Sequence, residues 1–102
     1  LKTNHPINVK IRLIGILRGL AEKEELTIKL EKETTINNLI QKLASSFSKE
    51  FKRALIDSEL NNPKPNALIL LNGREISVLP EGLETKVKNG DEIIIVPVTH
   101  GG

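Results

Sequence analysis

Apolar residues alternate with polar ones from Val9. Val9, Ile11 and Leu13 interleave with Lys10 and Arg12, the period-two signature of a strand with one buried face. Gly15 interrupts the pattern and marks a bulge or bend. Leu17 and Leu20 carry apolar character through an irregular connection to the acidic run Glu22-Lys23-Glu24-Glu25. Leu26, Ile28 and Leu30 then alternate with Thr27, Lys29 and Glu31, which predicts a second strand, antiparallel to the first across a long loop.

The period changes after Glu33. Thr34 or Thr35 suits a helix N-cap, because a hydroxyl there accepts a backbone N–H that has no partner within the helix. Ile36, Leu39, Ile40, Leu43, Phe47, Phe51 and Leu55 recur at spacings of three and four. That is a core-facing helical stripe. Asn61-Asn62-Pro63-Lys64-Pro65-Asn66 lies within a loop. Ala67 to Leu71 is a short apolar strand closed by Asn72-Gly73. Ile76 to Val87 holds Pro80 and Gly82 and reads as loop with one helical turn. Asn89-Gly90-Asp91 makes a turn into a last strand, Glu92 to Val98.

The order strand, strand, helix, strand, strand predicts an α+β fold, one mixed sheet crossed on one face by one helix. The expected organisation is a polar leader (residues 1–8), one domain (9–98) and a tail (99–102). Strand alternation also predicts an outward set. With Ile93, Ile95, Ile69 and Leu71 facing the helix, Ile94, Val96 and Leu70 face outward, and Ile14 joins them from the first strand. Such an apolar patch on an open sheet face marks a partner site. Arg12, Arg74 and Lys10 are expected to frame it with charge.

Composition narrows the chemistry. The chain has 102 residues, 38% hydrophobic and 27% charged, in the range of a single globular domain. It has no cysteine, which removes disulfides, thiolate metal sites and a cysteine nucleophile. No apolar run reaches bilayer length, the N-terminus lacks a secretory h-region, and the absence of disulfides leaves the cytoplasm as the expected compartment. Leu1 is not an initiator, which implies a trimmed or processed start. The net charge of +2 comes without a lysine–arginine cluster, and the only aromatic residues are Phe47 and Phe51 on the core stripe. Direct nucleic-acid binding is therefore not expected, and neither is membrane association. His5 and His100 have no metal-ligand spacing. No carboxylate pair, nucleophile–base pair or phosphate loop stands out, so the chain does not read as an enzyme. The absence of Cys and Met, with abundant Glu and Lys, leans toward a thermophilic source.

The candidate chemistry sits at the last residues. Gly101-Gly102 follows a strand, has no side chains and moves freely about its backbone dihedrals. Such a tail can enter a narrow channel and present a carboxylate to a nucleotide. Adenylation by ATP turns a carboxylate oxygen into a leaving group, open to attack by sulfide, a thiolate or a lysine amine. If the chain carries transferable sulfur, the absence of cysteine leaves the Gly102 carboxylate as its place. His100 reads either as a solvated residue or as a contact inside a partner's channel.

These features together resemble a known group. The element order, Asn72-Gly73, Lys88-Asn89-Gly90-Asp91-Glu92-Ile93 and Pro97-Val98-Thr99-His100-Gly101-Gly102 are similar to the ubiquitin-like β-grasp sulfur carriers and protein modifiers. That group takes in MoaD, ThiS, the small archaeal modifiers and the ubiquitin-related modifier of tRNA thiolation. The resemblance runs from Val9 to the end. It implies activation of Gly101-Gly102 by a ubiquitin-activating-type adenylating enzyme, which uses the ATP while the chain itself binds no cofactor. Thiocarboxylation follows, then sulfur transfer through a sulfur-accepting tRNA-modifying enzyme, or conjugation to lysines of target proteins. Leu70 and Val96 fall at positions similar to the hydrophobic patch of ubiquitin. Ile95-Val96-Pro97-Val98 is similar to MoaD, which keeps a molybdopterin synthase small subunit as an alternative; Thr99-His100 departs from that pattern. A non-covalent β-grasp adaptor is the third reading.

Overall fold

The computed structural model describes residues 6–98. Its strands are β1 (Ile7–Leu13), β2 (Glu25–Leu30), β3 (Ala67–Leu71), β4 (Arg74–Glu75) and β5 (Glu92–Pro97). Its helices are α1 (Gly15–Ala21), α2 (Ile36–Ala44) and α3 (Lys49–Leu55), with 3₁₀ turns at Ile76–Val78 and Gly82–Glu84. The strands form one mixed sheet in the order β2-β1-β5-β3-β4. β1 and β5 run parallel, and the other pairs are antiparallel. The expected α+β sheet is therefore present, with the last long strand at its centre.

Alternation places the inner face as expected. Val9, Ile11, Leu13, Ile69, Ile93 and Ile95 are buried and join Leu17, Leu39, Leu43, Phe51 and Leu55 in one core. β1 takes in Ile7 and Asn8, two residues that the alternation left in the leader. Pairing explains their order: the Asn8 N–H donates to Asn89 Oδ1 at 2.8 Å, and the Gly90 N–H to the Asn8 carbonyl at 2.9 Å.

Three expectations need correction. The single crossing helix is two. Thr35 caps α2 by accepting from the Asn38 N–H at 3.1 Å, and Ser48 caps α3 by accepting from Phe51 at 3.1 Å. Between them Ser46 Oγ donates back to the Lys42 carbonyl at 2.7 Å. Serine hydroxyls compete for backbone groups in this way and favour helix ends over interiors. The apolar stripe continues through the break, and the Phe47 and Phe51 rings meet at 4.9 Å. Second, the connection after β1 is helical. Leu17 and Ala21, four residues apart, bury one face of α1, although two glycines in seven residues weaken its local helical signal. Third, β4 is a two-residue strand at Arg74–Glu75, which the sequence pattern left unassigned.

Candidate functional site

The outward residues of β5 and β3 meet in register. Leu70 pairs with Ile94 and Leu68 with Val96, so the four side chains form a block on the face away from the core. Directly opposed side chains in a sheet lie about 5 Å apart at Cβ. Leu70, Ile94 and Val96 are half-buried, and Leu68 is 42% exposed. The predicted patch is thus assembled, with Leu68 as an addition. The same alternation that turned Leu70 outward also turns Leu68, two residues earlier, onto that face.

Ile14 lies just past the end of β1. Leu13 pairs with Ile95, so Ile14 falls level with Val96, and its N–H donates to the Ile95 carbonyl at 3.2 Å. It is 37% exposed and extends the block toward the end of β5. Arg12 pairs with Ile94 on the other flank. Its Nε is buried with no hydrogen-bond partner. Lys10 is engaged elsewhere on this face, 3.5 Å from Glu25. The expected framing by Arg74 does not hold. The register sets Glu75 beside Leu70 and places Arg74 opposite the inward Leu71, because a one-residue step along a strand changes face.

The exit of the chain from β5 is closely held. The Val98 N–H donates to the Asn66 carbonyl at 2.9 Å. On the β1 side, Gly15 has φ +60, and a Cβ placed on it would stand 3.1 Å from Pro97 Cγ. Glycine is favoured there on two counts, by the left-handed backbone and by the close approach. The start of β5 is locked as well. Asn72 Nδ2 donates to Asp91 Oδ1 at 2.9 Å, and the Glu92 N–H donates to Asn72 Oδ1 at 2.9 Å. The strand that carries the tail is therefore fixed at both ends in the middle of the sheet. His100, Gly101 and Gly102 lie outside the described residues, as do residues 1–5 of the leader. Among the described residues no cluster of His, Asp or Glu is placed to hold a metal ion, and no helix is long and apolar enough to cross a membrane.

Comparison with known proteins gives concordant results. The ThiS family pattern matches residues 11–102. A protein of Archaeoglobus fulgidus assigned as a sulfur carrier is 38% identical over 95 residues, covering 92% of this chain and 98% of its own. The small archaeal modifier protein 1 of Methanosarcina acetivorans superposes with a TM-score of 0.79 at 29% identity, covering 96% of this chain and 99% of its own. Urm1 of Trypanosoma brucei shares the fold, with a TM-score of 0.72 at 23% identity over 98% of this chain and 100% of its own. The architecture is the ubiquitin-like β-grasp.

Proposed function

Because this chain belongs to the ThiS family, among ubiquitin-like sulfur carriers and modifiers, we propose that it works through the carboxylate of Gly102. A small carrier of this kind is handed between enzymes and is not an enzyme itself. In the proposed sequence a carboxylate oxygen of Gly102 attacks the α-phosphorus of ATP on an activating enzyme, and pyrophosphate leaves. The product is a mixed anhydride, whose carbonyl carbon is open to nucleophiles. Attack by sulfide expels AMP and leaves a thiocarboxylate for a sulfur-accepting enzyme, such as one that thiolates tRNA. Attack by a lysine amine expels AMP and leaves an isopeptide bond to a target protein.

The observation that supports this reading most is the position of the apolar block. Leu68, Leu70, Ile94 and Val96 flank the last residues of the central strand, so an enzyme docked on them stands beside the outgoing tail. The block selects the enzyme, and the glycines admit the tail to its channel. His100 is proposed as a contact within that channel.

The test is intact mass spectrometry of the chain after incubation with the activating enzyme of its host, ATP and sulfide. Exchange of one C-terminal oxygen for sulfur supports the reading. Its absence, together with an absence of isopeptide conjugates in cells, sinks it. Deleting Gly101 and Gly102 separates a covalent carrier from a non-covalent adaptor, because only the carrier loses function.

A further inference from the structure

A second surface lies on the helix side of the sheet. α3 places Lys49, Lys52 and Arg53 at spacings of three and four, so the three cations share one helix face. They line a groove of about 520 Å³ against the loop that joins α3 to β3, with Asp57, Asn61 and Asn66 on the facing wall. None of the three cations makes an ion pair among the described residues; the pairs there are Lys10–Glu25, Arg18–Glu24 and Lys86–Glu33. Glu50, three residues before Arg53, is not paired with it either.

The cations are not explained by the stability of α3. Lys52 and Arg53 in its last turn suit the helix dipole, but Lys49, its first residue, opposes it. Like charges at these spacings also repel. The facing wall offsets only one of the three charges, through Asp57. Oδ2 of Asp57 accepts from the Glu59 and Leu60 N–H groups at 3.1 and 2.8 Å, which anchors that carboxylate to the loop; its charge remains, and the lining keeps an excess of cations, Lys49, Lys52 and Arg53 against Asp57. The loop is held further by Gln41 Nε2, which donates to the Asn61 carbonyl at 2.9 Å. A formed cationic groove thus stands open. Its rim residue Asn66 is the one whose carbonyl holds Val98.

We infer that this groove receives an acidic segment of the protein that activates the tail, a reading that rests on the activation proposed above. The argument is charge complementarity and position. Three cations against the single carboxylate of Asp57, with amide side chains beside them, leave an excess of positive charge that matches an acidic segment, and the groove lies next to the strand exit. No aromatic residue lines it, so it offers no stacking platform for a base. A partner that fills this groove and also covers Leu70 and Ile94 grips the tail-bearing strand from both sides. The apolar block supplies contact area, and the groove fixes orientation.

The first experiment is an NMR titration of the isotope-labelled chain with a hexapeptide of Asp and Glu, and separately with a short RNA duplex. The peptide is expected to shift the amides of Lys52, Arg53 and Asn61, and to lose that effect in Lys52→Glu/Arg53→Glu and in the milder Lys52→Gln/Arg53→Gln. No shift, or the same shifts in the variants, overturns the proposal. Shifts with RNA but not with peptide overturn it in favour of a nucleic-acid surface. The second experiment measures adenylation. Charge reversal is expected to raise the KM for the carrier about tenfold at low salt, with kcat unchanged and the difference shrinking as salt rises. An unchanged KM beside normal wild-type activation overturns the groove alone. A wild-type chain that is never adenylated overturns the activation reading, and the acidic ligand then stands or falls on the peptide titration.

Discussion

The open face of the sheet has two halves of opposite character. On β1 and β2 it presents Asn8, Lys10, Arg12, Glu25, Thr27 and Lys29; on β5 and β3, past Glu92 at the start of β5, it presents Ile94, Val96, Leu68 and Leu70. Both halves belong to one sheet and cover the same core. Their inner residues are equally apolar, with Val9 and Ile11 on one side and Ile69 and Ile95 on the other. Folding therefore requires no apolar residue on the outer surface, as the first half demonstrates. An exposed apolar block brings a hazard of nonspecific association. Its concentration on β5 and β3, with Ile14 added at the end of β1, ties it to what happens at the tail.

The comparison breaks most sharply if charge is placed in the apolar half. Leu70→Asp with Ile94→Asp is expected to lower adenylation efficiency about 100-fold or more, since buried interface anchors each contribute roughly 2 kcal/mol or more. The circular dichroism spectrum should remain that of the folded chain. A loss below threefold would refute the assignment of the block as a docking surface.

The inner and outer faces of β5 provide the next contrast. Ile95→Ala removes a fully buried side chain and is expected to cost about 2–5 kcal/mol in urea unfolding. Ile94→Ala, one residue away on the open face, is expected to cost less than about 1.5 kcal/mol. Similar values for the two would mean that the open face is covered in solution.

A smaller effect is expected at the strand exit. Gly15→Ala puts a methyl group 3.1 Å from Pro97 Cγ at φ +60, and should destabilise the chain by about 1–2 kcal/mol. Chemical-shift changes confined to Ile14 and residues 96–98 would locate the strain. The smallest effect belongs to the charged half. Lys10→Glu with Lys29→Glu removes one exposed ion pair, Lys10–Glu25, and should change stability by about 0.5 kcal/mol or less. Adenylation efficiency should change by less than about threefold, mainly through on-rate and only at low salt. A large loss there would extend the docking surface across the whole sheet.

Much of this site is legible along the chain because a strand reports its own faces. With Ile93 and Ile95 inward, Ile94 and Val96 must point outward wherever the strand sits. Leu70 follows from Ile69 in the same way, and Leu68 was available from the same alternation. The core stripe of α2 and α3 was equally plain, since helical period survives the serine break between Ala44 and Lys49. The terminal Gly101-Gly102 and the absence of cysteine also needed no structure. α1 did not show itself, because Leu17 and Ala21 are only two anchors and its glycines resist helix until the core captures them.

What tertiary structure alone decided is which strands stand beside one another. β5 lies parallel to β1 although the pairing joins Lys10 to Glu92 across most of the chain, and no local pattern encodes such a neighbour. That pairing sets Arg12 beside Ile94, brings Ile14 level with Val96 and closes Gly15 onto Pro97. The β3–β4 register likewise put Glu75, not Arg74, next to the patch. The groove on α3 arises the same way. Its three cations lie on one short helix, but the wall that makes them a site comes from a loop folded back by its own hydrogen bonds and by Gln41 of α2. Sequence sets which way each side chain points; the packing of the core sets what it points at, since this sheet order brings the inward apolar faces into one core.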